Sequence, residues 1–277
     1  MTAQEKIKLG RDFCKSPFGE EREPSDQQKR LPQPPLCKAP VSDDIIPLTD
    51  DFSAVMTETD FFTILEGRSS QRFYKDEPIS LDQLAFLLYS CQGVKSIRGN
   101  HYATLRTVPS GGARHAFEMY LAVRKVEGLE PAVYHYLPLQ HALEKVGELP
   151  EPEAQITKAM HDQKFAGGCA VCFLMSFVPY RAEWRYSTTA HRVVLIDAGH
   201  VFQNLYLACG ACGCGTCAIA AIDQPVADEL CGLDGEEEFI IYAAPVGLMD
   251  AEKNAEVNAK LYAKTIEESN AVKPLEK

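Results

Sequence analysis

The chain has 277 residues, 45% of them hydrophobic and 24% charged, with 28 Lys+Arg against 39 Asp+Glu. This is a globular composition, long enough to bury a sizeable core. The net charge of −11 argues against a general affinity for nucleic acid or an anionic membrane face, since both need a basic surface.

The longest strongly apolar run, Cys169 to Val178, is short of the roughly 20 residues a helix needs to span a bilayer. Met1 to Gly10 has charge but no apolar core, so no secretory signal is expected. Ten cysteines then suggest reduced thiols and a cytoplasmic location. Residues 1–50 hold seven of the 17 prolines and read as an arm, irregular and exposed from Pro24 to Pro40. Residues 51–250 are expected to form one compact domain, and 251–277 a helical extension.

In chain order, the first helix is expected near Asp60, with Thr57 or Thr59 as cap and Phe61, Ile64 and Leu65 on one face. Ser80 with Gln83 is a capping box for a second helix, carrying Leu84, Leu87, Leu88 and Cys91 and ending at Gly93. Phe117 to Val126 alternates as a strand does, with Phe117, Met119, Leu121 and Val123 on one side. A short strand follows at Ala132–Tyr136, then a surface helix at 153–164. Ala170 to Val178 reads as a strand buried on both faces. Thr189 to Cys209 is a long helix, with Val193, Ile196, His200, Val201 and Asn204 near one stripe. A short helix from Pro225 closes at Gly232, Phe239–Val246 is the last strand, and Val257–Ile266 a terminal helix. The interspersed elements predict an α+β fold, a mixed sheet flanked by helices.

Three segments could carry chemistry. Arg68, Ser70 and Arg72 can converge two guanidiniums and a hydroxyl on one phosphate; the alternative is a solvated basic turn. Pro109-Ser-Gly-Gly-Ala113 lets backbone approach a flat ligand, with Ser110 as donor and acceptor, or merely turns the chain. Cys209, Cys212, Cys214 and Cys217 lie within nine residues. Their spacing fits neither common ferredoxin pattern, and packing as small hydrophobes is preferred to a metal site. Cys169 and Cys172 are assigned to the core. His191 and His200 have no nucleophile or carboxylate at a telling spacing and read as structural. No Walker-type loop, G-x-S-x-G, H-E-x-x-H or G-x-G-x-x-G turn is present.

Taken together, Phe61 to Phe73, Pro109 to Gly112, Ala198 to Asn204, Gly215 to Ala221 and Ala244 to Gly247 resemble the nitroreductase superfamily of FMN flavoproteins. The match covers roughly two-thirds of the chain. Leu105 to Ala113, Glu127-Gly-Leu129 and Tyr134-His-Tyr136 are similar to its SagB-type dehydrogenase branch, whose best-known members oxidise peptide azolines. The resemblance implies a nitroreductase-like, entwined homodimer with FMN at the subunit interface. It implies that Arg68, Ser69, Ser70 and Arg72 hold the phosphate and ribityl chain. Ser110 and Gly111 would approach the flavin from the partner subunit, and Ala220 and Ala221 would offer backbone to its N5 and O4 edge. No protein group need be catalytic, because the flavin carries the electron chemistry, with NADH or NADPH as donor and ping-pong turnover at N5. The alternatives are a dehydrogenase acting on an azoline-like substrate and a non-catalytic flavin-binding protein. Two departures stand out. Ala220 occupies a position that is acidic in many relatives, and Leu248-Met-Asp250 replaces the basic residues expected after Gly247. Arg114, Arg185 and Arg192 are candidates to compensate.

Overall fold

The structure is a computed structural model that describes residues 1–16 and 23–269. It opens with α1 (Ala3–Cys14), which the sequence reading did not anticipate. Its signal is the capping box in which Thr2 and Glu5 satisfy each other's backbone N–H. Residues 23–44 then run without regular structure to the short edge strand β1 (Ile45–Pro47).

Helix α2 (Phe61–Gly67) is capped by Asp60, whose carboxylate accepts from the Thr63 N–H, in place of the expected Thr57 or Thr59. Asp is as good a cap as Thr, and here it lies one residue before the helix. The expected apolar face of α2 does not enter the core: Phe61 is 64% and Leu65 45% exposed, and Ile64 is half-buried. Helix α3 (Leu81–Gln92) has the Ser80–Gln83 box and ends at Gly93, with Leu84, Leu87, Leu88 and Cys91 fully buried. The hairpin β2 (Val94–Arg98) and β3 (Ala103–Arg106) follows.

A seven-stranded sheet forms the centre, in the order β1-β6-β5-β4-β7-β9-β8. Its members beyond β1 are β4 (Phe117–Val123), β5 (Ala132–Leu137), β6 (Ala142–Glu148), β7 (Val171–Phe177), β8 (Cys214–Thr216) and β9 (Phe239–Leu248). Every ladder in it is antiparallel; the parallel pairing in the described residues is the isolated bridge Ile79–Val126. Helices cover both faces. Phe117, Met119 and Leu121 pack with α3 and α7 (Ala190–Ala211), whereas Tyr120 and Ala122 join the core beneath α4 (Pro152–Ala159) and α8 (Gln224–Cys231). The expected surface helix at 153–164 is thus split, with α5 (Lys164–Gly167) as a separate turn. Helix α8 closes on Gly232 in the left-handed conformation (φ 67°).

Helix α6 (Pro179–Tyr186) leads through a 3-10 turn into α7. The α7 stripe is rotated from the expected one: Val194, Ala198, Val201 and Leu205 are buried, while Ile196 and His200 face outward. Both candidate stripes are apolar enough at helical spacing, and only the sheet decides between them. By length and composition Pro179–Ala211 could cross a bilayer, but nearly half of its apolar window is inside the domain. Helix α9 (Ala251–Ser269) follows β9 directly; residues 270–277 of the expected extension lie outside the described residues.

Candidate cofactor site

The segment after α2 is extended and pinned on both sides. Its Gln71 N–H donates to the Thr216 carbonyl of β8 at 2.9 Å. A side chain on Gly215 would put its Cβ 2.8 Å from that of Gln71, so the close approach of β8 requires glycine there. On the C-terminal side, Asn254 of α9 accepts from the N–H groups of Arg72 (3.0 Å) and Phe73 (3.3 Å) and donates to the Phe73 carbonyl (2.7 Å).

Tyr206 of α7 gathers the functional side chains. Its ring lies under the Arg68 guanidinium at 5.5 Å, and its hydroxyl is 3.0 Å from Ser70 Oγ. The same hydroxyl accepts from the Ala218 N–H at 2.8 Å. The Arg72 guanidinium lies over the Phe165 ring at 5.8 Å, and Gln163, beside it, donates to the Ala221 carbonyl. Arg68, Ser70, Arg72 and the 218–221 loop are thus linked through Tyr206, Phe165 and Gln163. Ser69 instead accepts from the Gln71 side chain at 2.7 Å. Ser69 and Gln71 line a cavity of about 300 Å³ with Ile64, Cys209 and Gly215. Arg68 and Tyr206 line it as well, so the cavity adjoins the Arg68 end of the segment, while Ser70, Arg72 and Ala218–Ala221 stand outside its lining.

Arg68 and Arg72 form no ion pair among the described residues, although the chain has an excess of acids. Ala220 and Ala221 are exposed, and their N–H groups meet no acceptor among the described residues. Two unpaired guanidiniums, a hydroxyl and free backbone donors are a donor set for a phosphorylated, carbonyl-bearing ligand.

The Ser110–Gly111 loop is held by a residue the sequence reading missed, Asp197 of α7. Ser110 Oγ donates to Asp197 at 2.8 Å, and the Gly111 N–H donates to both of its oxygens at 2.9 and 3.1 Å. Burial pushes the Asp197 carboxyl above its ordinary value, opposed by these hydrogen bonds. Arg114 and Arg185 stand at this loop, not at Arg68: Arg114 donates to the Gly112 and Tyr102 carbonyls, and Arg185 to the Tyr102 hydroxyl. Arg192 donates to the Cys14 carbonyl of α1. None of the three contacts the 68–72 segment. The basic residue that does come near after Gly247 is Lys253, whose ammonium lies 5.0 Å from the Phe73 ring centre.

The four clustered thiols are buried at the end of α7, in β8 and just beyond. Cys169 and Cys172 are buried in the core beside β7, burial raising the Cys169 thiol to about 12. His191 pairs with Glu183 at 2.8 Å on the surface, and His200 is exposed.

The fold is an α+β domain built on a seven-stranded antiparallel sheet covered by helices, with a separate two-stranded hairpin. The nitroreductase family model matches residues 65–248, and the chain is an oxidoreductase belonging to that family. A nitroreductase of Methanocaldococcus jannaschii is 30% identical over 184 residues, covering 66% of this chain and 88% of that protein. The trifolitoxin-processing protein TfxB of Rhizobium leguminosarum bv. trifolii is 27% identical over 164 residues, 56% of this chain and 44% of TfxB. A nitroreductase crystal structure from Ralstonia eutropha superposes with a TM-score of 0.60 at 24% identity, covering 79% of this chain and 94% of that one.

Proposed function

We propose that the chain is an FMN-dependent oxidoreductase whose phosphate clamp is Arg68, Ser70 and Arg72. The observation that carries this is the pair of arginines, exposed and without a carboxylate, on a segment fixed from both sides by Gly215 and Asn254. Bound FMN would supply two-electron chemistry between a donor such as NADH or NADPH and a small organic acceptor. The protein's residues bind and orient. Arg68 and Arg72 neutralise the phosphate, Ser70 adds a hydrogen bond, and Ser69 ties the segment through Gln71. Ala220 and Ala221 offer free N–H groups to the carbonyl edge of the ring, which needs no side chain at 220. Ser110 and Gly111 meet the ring bound by a second copy of the chain, from the loop held by Asp197.

A second copy of the chain is the partner in this reading. Phe61, Phe62 and Leu65 of α2 and Leu195 and Ile196 of α7 are exposed, apolar surface that a homodimer would cover. A second reading, a dehydrogenase acting on a peptide azoline, is favoured by the likeness to TfxB, a toxin-processing protein by name.

The test is reconstitution of the full chain with FMN, followed by anaerobic titration with NADH, NADPH and an azoline peptide. The wild type is expected to turn yellow and to be bleached by a nicotinamide. The Arg68→Ala/Arg72→Ala double variant should lose FMN without losing stability. Undiminished FMN occupancy in that variant would refute the clamp, and bleaching by the azoline peptide alone would favour the second reading.

A further inference from the structure

Asp197 is a buried carboxylate, 7% exposed, that forms no ion pair among the described residues. Its two oxygens are committed to the 110–111 loop: three contacts arrive there, all from donors. An ionised carboxylate is acceptor-only, so the single proton of the Ser110 hydroxyl is spent on Asp197. The same Ser110 Oγ already accepts from the His115 N–H at 3.0 Å. What remains on Ser110 is one lone pair. The loop has little freedom to rearrange. A Cβ on Gly111 would stand 2.4 Å from Val193 and one on Gly112 2.4 Å from Arg185, and Gly112 has φ +58°.

We propose that Asp197 is a positioning residue that fixes Ser110 as a hydrogen-bond acceptor toward the cofactor, so that Ser110 accepts from an N–H on the ring's rim. This rests on the reading that FMN occupies the site with the 110–111 loop against it. A reduced flavin carries more N–H groups than an oxidised one. An acceptor held in this polarity therefore favours the reduced ring, whereas a hydroxyl free to turn could donate instead and favour the oxidised one. Asparagine at 197 would release that hydroxyl, because its amide can donate to Ser110 Oγ. Protonation of Asp197 would do the same. The charged and titratable groups around Asp197 and its loop are His200 on its own helix, Tyr186 beyond Gly111, Arg185 and Arg114 against Gly112, and in the loop His115, which burial holds neutral with a pKa of about 3.

The experiment measures FMN affinity by fluorescence quenching and the two-electron midpoint potential of the bound flavin, in the full-length wild type, S110A, D197N and the double variant. S110A is expected to lower the potential by about 30 mV, which corresponds to a tenfold loss of preference for the reduced form. D197N should shift it in the same direction, and the double variant no further than either single, because both act through one hydrogen bond. If D197N does not fold, S110A and the wild-type pH series decide. The wild-type potential should carry an acid limb above the ordinary carboxylate range that S110A lacks. An unchanged potential in S110A, or additive shifts in the double variant, overturns the proposal. Failure of the wild type to bind FMN would instead overturn the reading beneath it.

Discussion

Asn254→Ala tests whether the C-terminal helix holds the clamp. Asn254 is 5% exposed and makes four hydrogen bonds: Oδ1 accepts from Arg72 and Phe73, and Nδ2 donates to the carbonyls of Phe73 (2.7 Å) and Asp250 (2.9 Å). Buried hydrogen bonds contribute about 1 kcal/mol each net, and the 3.3 Å contact to Phe73 less, so the loss should be about 3 kcal/mol. At about 2 °C per kcal/mol for a chain of this size, the melting temperature should fall by about 6 °C. The functional effect comes from the backbone. Arg72 and Phe73 would have to be ordered by the ligand, at about 1 kcal/mol or more per residue, so FMN affinity should fall about thirtyfold. Calorimetry and fluorescence titration read the two effects separately. Asn254→Asp keeps the acceptor, loses both donated bonds and adds an anion beside Arg72, so affinity should suffer more than stability. A variant that melts 6 °C lower yet binds FMN as tightly as wild type would refute the link between α9 and the clamp.

Tyr206→Phe removes the hydroxyl shared by Ser70 and Ala218 and leaves the Ala218 N–H without its acceptor. A loss of about 1–3 kcal/mol in stability is expected by thermal melting, with weaker FMN binding. Gly215→Ala should destabilise by about 1–3 kcal/mol, because its Cβ meets Gln71 Cβ and neither is the end of a flexible chain; unchanged chemical denaturation would refute the packing argument. The pH dependence of stability should follow His135, whose ring nitrogens contact Glu144 (2.8 Å) and Glu118 (3.1 Å) in the core. Burial alone would lower its pKa, but the two carboxylates outweigh it and raise it, so its contribution is full below 6.5 and is lost as pH rises through the folded value. Glu118 is the reverse case. Burial would raise it, but Arg181, His135 and Arg106 hold it well below its ordinary 4.5, so its contribution is full above 4.5 and is lost on strong acidification. His135→Gln should therefore flatten the alkaline side of the stability profile and, because His135 also helps hold Glu118 down, make the acid side shallower, as urea denaturation across pH would show.

The fold was most legible where local chemistry and long-range packing agree. The Ser80–Gln83 box, the apolar run of β7 and the Gly232 stop each carry their own signal, and each element stands where it was expected. The edge strands β1 and β8 are three residues long and exist through partners on β6 and β9, so no local pattern announces them. The rotation of α7 is a subtler case. Its outward residues include Leu195 and Ile196, as apolar as those inside, and the sequence cannot weigh a face covered by the sheet against one left exposed. In the site, Arg68, Ser70 and Arg72 were visible as a local motif. Their supports were not: Tyr206 lies 136 residues from Ser70, Asn254 182 from Arg72 and Asp197 87 from Ser110.

Those supports share one physical logic. Irregular segments cannot satisfy their backbone N–H groups in a ladder, so buried side-chain oxygens do it for them. Glu118 accepts from the Lys38 N–H, Glu144 from Val41 and Ser42, Asp197 from Gly111, and Asn254 from Arg72 and Phe73. Four loops or arm segments are thus fixed from within by oxygens on regular elements. Carboxylates used in this way are unavailable to neutralise surface cations. That gives weight to Arg68 and Arg72. In a chain of 39 acids and 28 bases, two arginines four residues apart that form no ion pair among the described residues are more consistent with a site for an external anion than with a merely solvated turn.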